Sequence, residues 1–132
     1  MSTIPLSLRT LNELDHARLS KLIPAGPAGA ALADLLDNAQ LLAPSDMPAD
    51  VVTLNSTVLL DDASGKRELT LCYPRDADPN RGRISVLSPL GLGLLGLSVG
   101  AQAGWLTPQG QQLTAQLLAL LYQPEASGEY LL

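Results

Sequence analysis

The sequence predicts an α+β fold: a short antiparallel helical hairpin followed by a small, mostly antiparallel sheet with one short helix between its third and fourth strands. Three observations predict it. Leucines recur at helical spacing up to position 42 and are interrupted once by a proline- and glycine-rich stretch. From Val51 onward the residues become β-favouring. Ser88-Pro89 then opens a short apolar run that cannot continue a ladder, because proline has no N–H to donate and its fixed φ suits the first helical position. The hairpin takes residues 1–46 and the sheet residues 47–132.

In chain order, Thr10 and Glu13 have the spacing of a capping box, and the helix they open runs to about Ile23. Pro24-Ala25-Gly26-Pro27-Ala28-Gly29 breaks it. A second helix, Ala30 to Leu42, sets Leu32, Leu35, Leu36, Ala39 and Leu42 on one face, so that the two helices zip along their leucines. The connector 43–50 holds two prolines. Strand residues follow at 51–54 and 57–60, with a bend or bulge at Asn55-Ser56, and a turn at 61–66 leads to a partner strand, Glu68 to Tyr73. After a charged loop, Ile84 to Leu87 is a strand, Ser88 an N-cap, and the helical turn ends at Gly96 or Gly100. A strand near 103–107, a hairpin turn at Pro108 to Gln111 and a long strand, Gln112 to Tyr122, complete the sheet. Leu117 to Leu121 fits a helix equally well by pattern; the preceding turn argues for strand.

Composition narrows the function classes. Apolar residues make up 46% of the chain but aromatics only 3%, with no Phe, so the core is aliphatic. A net charge of −5 opposes the electrostatic attraction on which non-specific nucleic-acid binding rests, and no nucleic-acid partner is expected. One cysteine, no secretory-type start and no apolar run of membrane-spanning length point to a reduced, cytoplasmic protein without membrane contact, expected as a monomer.

The inventory for catalysis is thin. His16 is the only histidine and reads as a solvated surface residue, Cys72 as a small core residue, and Trp105 as packing or a lid at the sheet edge. Asp61-Asp62 and Asp76 with Asp78 read as solvated loop acids rather than metal ligands. No catalytic residue, metal or cofactor is expected. Gly91-Leu92-Gly93-Leu94-Leu95-Gly96 matches G-x-G-x-x-G, but a proline intervenes after the strand and positions 111–116 hold no acid, so a dinucleotide site is rejected. Leu90, Leu92, Leu94, Leu95 and Leu97 cannot all face one core; about half are expected inside and the rest on a protein-binding surface.

Several separated stretches resemble one family: Met47 to Ser56, Tyr73-Pro74, Ile84 to Gly91 with Leu94-Leu95-Gly96 and Gly100, and Tyr122 to Ala126 with Gly128 and Tyr130-Leu131-Leu132. Together they resemble the bacterial regulators of nucleoside diphosphate kinase, relatives of the Gre transcript-cleavage factors, over roughly residues 30–132. The resemblance implies an FKBP-like carboxy-terminal domain, an amino-terminal helical hairpin and binding to RNA polymerase at the rim of its secondary channel, in competition with Gre-type factors. It places the polymerase contact on Leu87, Ser88, Pro89, Leu90 and Leu92, and the hairpin tip on Pro24, Gly26 and Pro27, with Asp34 among the nearest acids. The residue before the Ser-Pro pair, polar or acidic in Gre factors, is Leu87 here. A 13-residue second helix spans only about 20 Å, and the tip carries no acid. A regulator without transcript-cleavage activity that affects nucleoside diphosphate kinase levels is therefore expected. The alternatives are an FKBP-type prolyl isomerase or chaperone, disfavoured by one Trp and three Tyr, and direct action on nucleoside diphosphate kinase.

Overall fold

The computed structural model describes residues 9–107 and 109–128. Pro108, Tyr130, Leu131 and Leu132, which figured in the turn and the motifs above, lie outside them. The chain runs β1 (Thr10–Asn12), α1 (Glu13–Ser20), α2 (Pro27–Asn38), β2 (Gln40–Leu42), β3 (Thr57–Asp62), β4 (Gly65–Cys72), β5 (Arg83–Ser85), α3 (Pro89–Leu94), β6 (Gln102–Leu106) and β7 (Gln112–Tyr122).

The helical region is shorter than its periodicity suggests and is tied differently. Thr10 is not the cap, because Thr10–Asn12 forms a parallel ladder with Gln40–Leu42. Asn12 is the N-cap instead, its side-chain oxygen accepting from the Asp15 N–H at 2.6 Å. The first helix stops at Ser20, leaving Leu22 and Ile23 each 42% exposed. The second starts at Pro27, where the missing N–H costs nothing, and ends at Asn38, so Leu42 belongs to a strand. The leucines expected to zip the hairpin do more than that. Leu19, Leu32, Leu35 and Leu36 join one core with Val58, Leu60, Leu71, Leu94, Leu95 and Leu117 of the strands and α3.

The sheet has the order β5-β4-β3-β7-β6 and is mixed, not antiparallel throughout. β4–β3, β3–β7 and β7–β6 pair antiparallel, but β5 lies parallel to β4 at the edge, reached by a crossover containing two 3₁₀ turns, Pro74–Asp76 and Pro79–Arg81. Residues 51–54 are not a strand. Val51 makes one bridge to Ser98, and Thr53–Ser56 folds into a turn with Asn55 at positive φ, ahead of β3. β5 ends at Ser85 rather than Leu87, because the Ser85 carbonyl accepts from the Ser88 N–H in the turn toward α3. β7 is a strand along all eleven residues.

α3 follows its sequence signal closely. Ser88 Oγ accepts from the Gly91 N–H at 3.0 Å and donates to the Ser85 carbonyl at 2.7 Å, with Pro89 at the first helical position. The glycine pattern around it has a packing cause. A Cβ at Gly91 would run into the Ser85 carbonyl, and one at Gly93 would sit 3.0 Å from the Gly104 carbonyl of β6. The spacing lets a helix lie directly on backbone.

Candidate functional site

Where α2, α3 and β6 converge, they leave a groove of about 680 Å³. Pro27, Asp34 and Leu35 of α2 form one wall; Leu87, Pro89 and Leu92 form the other; Trp105 and Leu106 of β6 close one side. Leu106 is 57% exposed and Pro89 is exposed, whereas Leu35 is buried beneath them. The surface is thus apolar with Asp34 as its acid. Arg9 also lines it, but its guanidinium donates to the carbonyls of Leu92 at 3.0 Å and Leu95 at 2.7 Å. Carbonyls at a helix C-terminus lack intrahelical donors, so Arg9 satisfies α3 and ties β1 to it. Burial lowers the Arg9 pKa from its ordinary value.

Of the sequence-derived candidates, the fold gathers Leu87, Pro89, Leu92, Pro27 and Asp34 around this groove. Ser88 is occupied as the α3 cap, and Leu90 is half-buried against the core. Pro24 and Gly26 are exposed in the connection between α1 and α2, away from the groove lining. Within the leucine cluster, Leu94, Leu95 and Leu97 are core, while Leu90 and Leu92 are partly buried and packed against it. Arg9 and Leu106 were not singled out by sequence. Arg9 has no periodic context, and Leu106 sits in an ordinary strand pattern.

The other candidates take structural places. His16 is half-buried rather than solvated, and its Nε2 donates to the Leu36 carbonyl at 3.1 Å, tying α1 to the end of α2. Cys72 is buried, with Sγ 3.3 Å from the Ile84 carbonyl across the β4–β5 pair, and burial pushes its thiol pKa up. Asp62 pairs with Arg67 at 3.1 Å, and Asp76 and Asp78 have Arg75 and Arg81 beside them. No cluster of three or more metal-ligating side chains occurs among the described residues.

A second convergence of polar groups lies inside. Asn12 Nδ2 donates to one Glu125 oxygen, and Thr53 Oγ1 donates to the other at 2.6 Å. Ser56 Oγ contacts Thr53 Oγ1 at 2.8 Å, and Asp15 Oδ2 accepts from the Leu54 N–H at 3.1 Å. Gln123 Nε2 adds two bonds, to the carbonyls of Pro48 and Val51, each at 2.7 Å. Burial pushes the Asp15 carboxyl up to about 7, helped by the Glu125 charge and opposed by the Leu54 N–H and Arg18. Asp15 does not line the groove, so this network serves as a joint. It explains why Met47 to Ser56 and Tyr122 to Ala126 carry distinctive residues: the two stretches are bonded to each other and to α1.

The fold and the groove define a small α+β protein whose helix pair packs beside a Ser-Pro-capped helix inserted in a mixed sheet. The chain belongs to the family of transcription elongation factors GreA/GreB, whose carboxy-terminal domain model matches residues 47–122. It is 42% identical over 130 residues to the regulator of nucleoside diphosphate kinase of Escherichia coli K12, covering 92% of this chain and 95% of that one. It is 32% identical over 111 residues to the transcription elongation factor GreA of Nitratiruptor, covering 83% and 68%. A solved GreA/GreB elongation factor from Nitrosomonas europaea superposes with a TM-score of 0.72 at 35% identity, covering 86% of this chain and 99% of that one. Among the described residues no helix is long and apolar enough to cross a membrane.

Proposed function

We propose that this chain is a non-enzymatic transcription regulator that docks on RNA polymerase near its secondary channel through the α2–α3–β6 groove. It competes there with Gre-type factors and affects nucleoside diphosphate kinase levels. The observation that carries the reading is that Leu87, Pro89 and Leu92 share one groove with Pro27 and Asp34, so that loop and helix pair present a single surface. Kinship with a regulator of nucleoside diphosphate kinase and with elongation factors supports the choice of partner. Helix length supports the absence of cleavage activity. At 8 and 12 residues, α1 and α2 span about 12 and 18 Å, and the connection 21–26 between them carries no carboxylate to bring to a buried catalytic centre.

The test is co-elution of the purified chain with core RNA polymerase, followed by competition against Gre-stimulated transcript cleavage. Binding and reduced cleavage are expected, and no binding at micromolar concentration overturns the reading. Pro89→Asp combined with Leu92→Asp is expected to weaken binding by about tenfold or more while the circular dichroism spectrum stays native. Unchanged affinity in a folded double variant would move the contact away from the groove.

A further inference from the structure

A second cavity, of about 610 Å³, lies between the C-terminal end of α1 and the 3₁₀ turn that follows β4, apart from the docking groove. Three cationic side chains line it, Arg18, Lys21 and Arg75, in a protein whose net charge is −5. The acid in its lining, Asp76, is 3.8 Å from Arg75 Nε. Complementing the negative end of the α1 dipole accounts for Arg18 and Lys21. It does not account for Arg75, which comes from another element and faces the same cavity.

Of the remaining lining, Leu22, Tyr73 and Pro74 are apolar in character and Asn55 is polar. Tyr73 is only 7% exposed, with the Arg75 guanidinium over its ring at 5.9 Å from the centroid, and Leu22 is 42% exposed. Arg18 lies near the Tyr73 hydroxyl, whose pKa burial raises and the Arg18 charge lowers. The cavity volume falls within the range of about 300–1,000 Å³ typical of small-molecule sites. The cations do not continue into a track that would follow a nucleic-acid strand. Arg9 is bonded to α3, Arg67 is paired with Asp62, Arg81 with Asp78, and Arg83 donates to the Asp76 carbonyl. Lys66 lies at the far end of β4, roughly 20 Å along the strand.

We propose that this cavity binds a phosphorylated small molecule of nucleotide size, its phosphates held by Arg18, Lys21 and Arg75 and its flat body against Leu22 and Pro74. Lys21 is exposed and the Arg75 side chain is 84% exposed, so Lys21→Gln and Arg75→Gln leave the core intact. Calorimetric titration of the full chain with ADP, ATP, inorganic pyrophosphate and a short single-stranded oligonucleotide tests the assignment. Saturable binding of ADP or ATP, weakened about tenfold by either variant and unchanged in Lys66→Gln, is the expected result. No heat from either nucleotide at millimolar concentration, or equal binding in Arg75→Gln, overturns it. Pyrophosphate binding as tightly as ADP removes the role given to the apolar wall, and tighter binding of the oligonucleotide replaces the small molecule with a nucleic acid.

Discussion

The helix pair is fastened to the rest of the molecule by two joints of opposite chemistry. On the α2 side, Leu32, Leu35 and Leu36 are buried in the common core, and the α2–α3–β6 groove lies at the outer edge of that contact. On the α1 side, Asn12 and Asp15 meet Thr53, Leu54 and Glu125 through directional hydrogen bonds between largely buried groups. The apolar joint tolerates small shifts and is indifferent to pH. The polar one demands that each donor and acceptor be matched, because an unpartnered buried polar group costs free energy that an apolar neighbour does not.

Four substitutions would break or sharpen this contrast. Leu32→Ala empties a fully buried site in the apolar joint and is expected to lower the unfolding free energy by about 2–5 kcal/mol, read from urea titration. Truncating Glu125 to Ala leaves Asn12 Nδ2 and the Thr53 hydroxyl without their acceptor, with an expected loss of about 2–4 kcal/mol. A loss as small as that of a surface substitution would mean that the polar joint does not hold the helices. Asp15→Asn tests the pH dependence. The carboxyl pKa is about 7 in the folded state against 3.8 for the unperturbed group, so the native state binds the extra proton between those values. Its contribution to stability is fully present below pH 3.8 and is lost as the pH rises through 7. Melting curves at pH 8 are expected to show Asp15→Asn more stable than the parent by about 1–3 kcal/mol, with the difference shrinking toward pH 4. A constant difference across that range would contradict the assignment. Leu106→Ser, at an exposed rim of the groove, is expected to change stability by less than about 0.5 kcal/mol while weakening the proposed docking measurably.

The two joints also differ in how legible they were. The leucines of α2 are spaced for one face of a helix, and burial followed that spacing, although the helix began at Pro27 and ended at Asn38. Nothing near Asp15 in the sequence announces Glu125. The pairing of Asn12 with Glu125 spans 113 positions and exists only after the sheet has brought the residues following β7 beside the turn at Thr53–Ser56. The α2–α3–β6 groove stands between these cases. The family resemblance singles out Leu87, Pro89 and Leu92, and the leucine excess adds weight to Leu92, but neither announces their meeting with Pro27, Asp34 and Trp105.

By itself the sequence determined the features whose physics is local. Ser88 caps α3 because a hydroxyl before proline reaches the nearby N–H whatever surrounds it, and Gly65 turns the β3–β4 hairpin because its positive φ of 110° suits a residue without Cβ. The tertiary structure alone decided that Thr10–Asn12 pairs as a strand, that β5 runs parallel to β4 and that Asp15 is buried opposite Glu125. Each of these depends on groups far apart in the chain, and their energies are set by what else is excluded from the same space. Short-range pattern carries no record of that exclusion.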